Sequence, residues 1–492
     1  MIVGGVQLSR RVDDPAESSE PAAMMAEALV RAAEDTGAAS AAELLKRADS
    51  IRVPSLVSWH YPDPGAAVAA LIGAAPRQTV VSTVGGNSPQ LLVADAAAAI
   101  GRGDLDVALV CGAEAVATRW KARKTKAWLD WSQQDATATP TMVLGIDRPA
   151  NNDVEMSCGI ALPTQVYPMF ETALRAAAGR SVGEHQRFLS ELWSRFSVVA
   201  ATNPHAWSPV ARTPEEIRTV GPDNRMIGFP YPKLMNANID TDQAAALIMC
   251  SVAAADAAGV PRDRWVFPWA SADGHDHWFV SERDDLRSSP AIRLAGRAAL
   301  SLAARSIDDV THADLYSCFP SAVQIAAAEL GLPLDDPARP LTVTGGLGFA
   351  GGPANNYVTH SIAAMTGVLR ADPGALGLVT AVGWYLTKHA VGVYSTEPPP
   401  VAFRTASVQD DVDRLPRRDV VGDWTGSVTI EAYTVMHERD GSPAVGLAIC
   451  RLDDGRRTCG AMRDADIMRA MCAEEFVGRR ADATPDGELT FS

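Results

Sequence analysis

The feature that most constrains this chain is a strand, glycine turn, helix, strand unit that occurs twice. In the first copy the β-branched run Thr79 to Val84 reads as a buried strand, and Gly85-Gly86-Asn87 turns it. Ser88 as cap and Pro89 in the first turn open a helix that runs to Ile100 and stops at Gly101-Arg102-Gly103. Asp106 to Cys111 is the next apolar strand. In the second copy Leu341 to Thr344 enters a glycine-rich loop, Gly345 to Pro353, followed by a helix over 355–369 and a strand over 376–382. Strands alternating with helices predict an α/β fold built on parallel sheet, and the recurrence predicts an internal duplication.

Two stretches break this rhythm. Residues 118–240 are rich in Trp, Pro, Asn and Met and read as a domain inserted over the sheet. After the stiff Glu397-Pro398-Pro399-Pro400 the hydrophobic period changes to two, with strands over 428–437 and 444–452 joined at Arg439-Asp440-Gly441. That tail predicts a small all-β barrel of the oligonucleotide/oligosaccharide-binding (OB) type. The expected domains are a first half at 1–117 with 241–255, a loop domain at 118–240, a second half at 256–400 and the barrel at 401–492.

The net charge of −15 argues against broad binding to nucleic acid or an anionic membrane, which needs positive charge. The Ala-rich runs are broken by charge before they reach the ~20 apolar residues of a membrane span, and no secretory leader is read at Met1. The seven cysteines are odd in number and lack metal-ligand spacing, so they read as reduced thiols of a cytoplasmic protein without a metal site.

Several segments carry a resemblance to a known family. Cys111-Gly112-Ala113-Glu114 after the first unit, Phe229 to Met235 followed by Asp242-Gln243-Ala244-Ala245-Ala246, the loop Asp314 to Phe319, and Gly345 to Pro353 are similar, in order, to segments of the thiolase superfamily. The likeness is to sterol-carrier-protein-type thiolases and their thiolase-like relatives, labelled acetyl-CoA acetyltransferases, over about residues 1–400. It implies two thiolase halves with a loop domain and a role in lipid metabolism. Its ligand would be acyl-CoA or coenzyme A, with no separate cofactor, and its assembly a homodimer with a monomer as the alternative. The tail resembles small barrels that pair with cysteine-less thiolase relatives as separate chains.

The same resemblance places Gly86 where thiolases carry the nucleophilic cysteine, and Ala381-Val382-Gly383 where they carry the second one. It places Gly351-Gly352-Pro353 over the Gly-His-Pro loop. A thioester exchange needs a thiolate, which glycine cannot supply. The expected substrate-binding residues are therefore Gly86, Asn87, Ser88, Gly351, Gly352 and Gly383, through backbone donors, with Lys124 of the basic run 119–126 near coenzyme A phosphates. The expected catalytic residues, if chemistry survives, are Tyr316, Tyr357, His360 and His389. Three functions stay open: binding of an acyl-CoA thioester without Claisen chemistry, retro-aldol cleavage of a β-hydroxyacyl-CoA through Tyr316, and a non-catalytic binding or assembly module.

Overall fold

The computed structural model describes residues 1–491. The N-terminal stretch contributes β1 (Ile2–Ser9), β2 (Ser50–Val53), β3 (Gln78–Ser82) and β4 (Val107–Ala115). The inserted stretch adds β5 (Met142–Leu144), β6 (Met226–Gly228) and β7 (Tyr231–Pro232) before the chain returns as β8 (Asp242–Cys250). The second half supplies β9 (Phe267–His275), β10 (Val310–Asp314), β11 (Leu376–Gly383), β12 (Lys388–Ser395) and β13 (Arg404–Ser407). The tail holds β14 (Gly426–His437), β15 (Pro443–Arg451), β16 (Arg457–Met462), β17 (Arg480–Ala483) and β18 (Leu489–Thr490).

The duplication is visible in strand order. One sheet runs β1-β8-β4-β2-β3-β5 and the other β10-β11-β12-β9-β13. In each, the closing strand of the half, β8 or β12, lies between the first strand and the strand that precedes it in the repeat. Both sheets are mixed, not parallel, because β8 and β12 run antiparallel to both of their neighbours. An apolar run does not encode its direction. β12 follows β11 through the short turn 384–387, which is too short for a parallel crossover.

The helices Ser88–Arg102 and Tyr357–Ala371 lie together between the two sheets, and Pro21–Asp35 and Pro290–Leu302 cover the outer faces. A helix buried on both sides must be apolar nearly all round or have its polar groups paired. Ser88–Arg102 is Ala-rich, and its buried Gln90 accepts a 2.6 Å hydrogen bond from the Tyr394 hydroxyl. In Tyr357–Ala371, Ser361 and Tyr357 donate to the buried Asp314 at 2.8 and 3.1 Å.

Two details differ from the sequence reading. Asn87, not Ser88, occupies the cap position of the first central helix, and its side chain makes no capping bond. The polyproline break does not end the second sheet, because β13 still pairs in parallel with β9.

In the tail, β14, β15 and β16 form a meander, β17 pairs with β14 and β18 with β17. A bridge between Ala461 and Glu488 brings the last strand beside β16, which closes the barrel, and the helix Ala465–Ala473 lies between β16 and β17 in the chain. Arg457, with no exposed surface, fixes the barrel to the second half. It pairs with Glu431 at 2.7 and 2.8 Å and donates to the carbonyls of Ser281, Arg283 and Asp284. Among the described residues no helix is long and apolar enough to cross a membrane.

Candidate active site

The two half-repeats meet at their turns. Gly85 follows β3 with φ +151°, a backbone state that favours glycine, and a side chain there would stand 2.9 Å from Lys388 Nζ and 2.5 Å from Asn87 Oδ1. Gly383 ends β11, and its hypothetical Cβ would lie 3.2 Å from Gly85 Cα and 2.5 Å from the same Asn87 oxygen. A Cβ on Gly86 would collide with the Tyr316 hydroxyl and approach the Val382 carbonyl to 2.5 Å. The phenol thus occupies the space in which a side chain at 86 would begin. Among the described residues the Gly86 N–H meets no protein acceptor, and it precedes the N-terminus of the Ser88–Arg102 helix.

Tyr316 comes from the turn after β10, where Thr380 Oγ1 accepts its backbone N–H at 2.8 Å. Burial, with the Cys318 thiol as a smaller contributor, pushes its phenol far above the ordinary range, so it is a hydrogen-bond donor and not a base. Burial pushes the Cys318 thiol up to about 12, which leaves no thiolate near the site. Tyr357 meets Tyr316 edge to face at 5.5 Å, but its own hydroxyl is committed to Thr344 at 2.6 Å and to Asp314.

The remaining expected residues are dispersed. His360 lies deep in the central helix with Nε2 unpartnered, and burial, then the nearby His205, lowers it to about 3. His389 points to the opposite side of β12 from Lys388, where Nε2 lies 3.1 Å from Asp276 and 3.0 Å from the Leu386 carbonyl. Ser88 Oγ bonds the Thr83 carbonyl at 2.9 Å. The glycine loop is pressed by the helix Val182–Thr202: a Cβ on Gly345 would stand 2.5 Å from Ala200 N. Gly351 packs on Gln243, and a Cβ on Gly352 would stand 3.3 Å from Asn238 O, a tight contact, and 3.5 Å from Leu347, while the Gly352 N–H donates to the same Asn238 O.

Three contributions had escaped the sequence reading. Asn355 and Asn356 look like helix caps, yet neither side chain caps the central helix. Asn355 Oδ1 accepts the Gly85 N–H at 2.9 Å while its amide donates to Ser55 O, and Asn356 donates to Gly112 O at 2.7 Å, so the pair ties the second half to the first. Tyr167 of the loop domain clamps the turn after β11, donating to Trp384 O at 2.8 Å and accepting from Leu386 N at 3.1 Å. Trp384 and Leu386 both have positive φ, and the clamp holds that strained turn in place.

The third is a cleft of about 560 Å³. Trp59, Trp120, Trp128, Leu129 and Ile239 line it, together with Arg119, Arg123 and Ala354. Glu114 shapes one side by accepting the N–H groups of Val57 and Ser58 at 2.9 and 2.8 Å. Lys124 is exposed and does not line it. The signal in the sequence was the cluster of tryptophans within and after the basic run.

Two duplicated α/β halves packed through a pair of central helices, with a loop domain and their turns meeting at one point, define a thiolase-type fold. The family model for the additional C-terminal domain of thiolase-like protein type 1 matches residues 407–488. The crystal structure of a monomeric SCP2-thiolase-like protein type 1 from Mycobacterium smegmatis is 32% identical, covers 100% of this chain and 98% of its own, and superposes with a TM-score of 0.84. The chain belongs to that SCP2-thiolase-like protein type 1 family. Two more distant structures share the fold. An acetyl-CoA acetyltransferase from Syntrophomonas wolfei is 15% identical over 81% of this chain and 98% of that one, with a TM-score of 0.58. The Ltp2–ChsH2(DUF35) aldolase is 20% identical over 80% of this chain and 96% of that one, also at 0.58. No curated protein matches the chain.

Proposed function

We propose that this thiolase-like protein binds an acyl-CoA thioester where the two half-turns meet and does not perform thiolase chemistry on it. The observation that carries this reading is the pairing of Gly86 with Tyr316. The turn offers a free N–H beside a helix N-terminus and a neutral phenol donor, a hole for a polarised thioester oxygen, and no nucleophile. The tryptophan cleft supports it. Its size suits a ligand, its apolar walls suit an adenine or acyl group, and Arg119 and Arg123 suit phosphates in a chain that is otherwise acidic. A calorimetric panel of acyl-CoA esters, with mass spectrometry for products, tests it. Reversible binding without acetoacetyl-CoA thiolysis is expected, and no binding at millimolar ligand would remove the reading.

One observation favours a second reading, a carbon–carbon lyase acting on β-hydroxyacyl-CoA. Tyr316 presents a neutral, buried hydroxyl donor beside Gly86, a group suited to stabilise an enolate oxygen. An aldolase among the proteins of similar fold agrees with it.

The remaining features fit the same picture. The closed order β14-β15-β16-β18-β17, with a helix before β17, supports an OB-type assignment for the tail. β5, three residues long, is the outer strand beside β3, and so short an edge offers little to strand pairing with another copy, which favours a monomer. All seven cysteines are free, in keeping with a reducing, cytoplasmic setting.

A further inference from the structure

Lys388 is the one buried lysine among six, at 4% exposure, and it faces no carboxylate within ion-pair distance. Its ammonium group donates to the carbonyls of Val84 and Ile146. Both of those residues are exposed, at 37% and 49%, so the amine lies one residue below the surface. The same amine and the unpartnered, buried Asn87 Oδ1 both pack into the space that a side chain at 85 would need, beside Gly86 and Tyr316. A buried ammonium without a counter-ion is costly to retain, and here it stands where the two halves bring their turns together.

We propose that Lys388 is the proton carrier of this site, taking the β-hydroxyl proton of a β-hydroxyacyl thioester and returning it to carbon. The inference rests on the lyase reading. The neutral amine accepts the hydroxyl proton as the Cα–Cβ bond breaks. The hydroxyl carbon leaves as an aldehyde or ketone, and the bond's electron pair passes to the thioester as an enolate. That enolate oxygen accepts from the Tyr316 hydroxyl and the Gly86 N–H. The Lys388 ammonium then protonates Cα, giving the shorter thioester and restoring the amine. Nothing is oxidised or reduced, and no co-reactant is needed.

The electrostatic surroundings agree. Burial lowers the amine to about 8, and Asp147 in the overlying segment opposes that only partly. The other titratable groups nearby are the neutral Tyr316 and, in register across the β9–β12 pair, His275. An amine with a midpoint near 8 exchanges protons readily at neutral pH.

The experiment compares the full-length protein with Lys388→Met and Lys388→Arg on a panel of β-hydroxyacyl-CoA esters, reading cleavage by mass spectrometry and binding by calorimetry. In parallel, pulses of acetic anhydride on the parent protein report the pH profile of each lysine, with exposed Lys46 and Lys233 as references. Cleavage should fall by about a hundredfold or more in Lys388→Met while binding persists. Lys388 acetylation should inactivate the parent with a midpoint about two units below the exposed lysines. Cleavage retained in Lys388→Met, or an acetylation profile matching Lys46, overturns the role of Lys388 and leaves the lyase reading standing. Absence of cleavage by the parent overturns both. If Lys388→Met does not fold, the acetylation profile and its link to inactivation still decide.

Discussion

The Tyr316 hydroxyl stands in the space that a side chain at Gly86 would need, so the two residues define each other. Glycine at 86 is required by the phenol, and the phenol has room only because 86 is glycine. A cysteine placed at 86 therefore meets a filled site. Gly86→Cys is expected to destabilise the protein by about 1–3 kcal/mol through overpacking, and to yield no acetoacetyl-CoA thiolysis. The double variant Gly86→Cys with Tyr316→Phe, which removes the colliding hydroxyl and keeps the ring, should recover part of that loss, the approach to Val382 O remaining. Thermal unfolding of both proteins checks it, and a Gly86→Cys protein as stable as the parent would contradict the geometry.

His360 gives the chain a specific acid sensitivity. Its folded value of about 3 lies well below the unfolded value of about 6.5, so between these limits the unfolded chain holds a proton that the folded chain does not. The stability this histidine contributes is full above pH 6.5 and is lost as pH falls toward 3, at up to about 1.4 kcal/mol per pH unit. His360→Phe removes that dependence while other groups titrate unchanged. Unfolding midpoints of the two proteins, followed from pH 7 to 4, should show the parent falling more steeply. Parallel curves would mean that His360 takes up its proton in the fold as readily as in the unfolded chain.

Arg457, oriented within the barrel by Glu431 of β14, holds the barrel to the second half through three carbonyls around 281–284. Arg457→Met keeps much of the stem but strands Glu431 inside the barrel and the three carbonyls across the interface, a total cost on the order of 3 kcal/mol of which the carbonyl share weakens the docking. The expected result is faster limited proteolysis in the loop after Asp413, releasing a barrel of about residues 415–491 from a core that keeps β13. Identical digestion patterns for parent and variant would show that the docking lies elsewhere.

The sequence carried the repeated unit plainly, because a buried strand, a glycine turn and an Ala-rich helix leave local patterns. It did not carry strand direction, since an apolar run such as Ala244–Met249 reads the same parallel or antiparallel. Nor did it carry the roles of Asn355 and Asn356. Asparagine before a helix has a good local use as a cap, and only the fold brings Gly85, Ser55 and Gly112 within reach of these two. Tyr316 was legible as a candidate, but its placement against Gly86 depends on the packing of one half on the other. The cleft was the least legible feature, because segments around 57–59, 116–133, 239 and 354 build it together.

That cleft yields the last expectation. Trp128 is 81% exposed on its wall, so it contributes little to the core, and Trp128→Ala should change stability by less than about 0.5 kcal/mol. An exposed tryptophan beside arginines is suited to stack on a flat ring that bears phosphates. Losing such a stack costs about 1–3 kcal/mol, or roughly 5–150-fold in affinity for a coenzyme A ester. Arg123→Glu should weaken binding as well, and by a margin that shrinks as salt is raised, because the pairing is electrostatic and near solvent. Lys124→Glu should weaken it less, since Lys124 lies outside the lining. Calorimetry with an acyl-CoA ester at low and high salt separates these effects. Equal affinity in the parent and Trp128→Ala would place the ligand outside the cleft, and equal losses in Arg123→Glu and Lys124→Glu would reduce the basic run to a diffuse field without a built site.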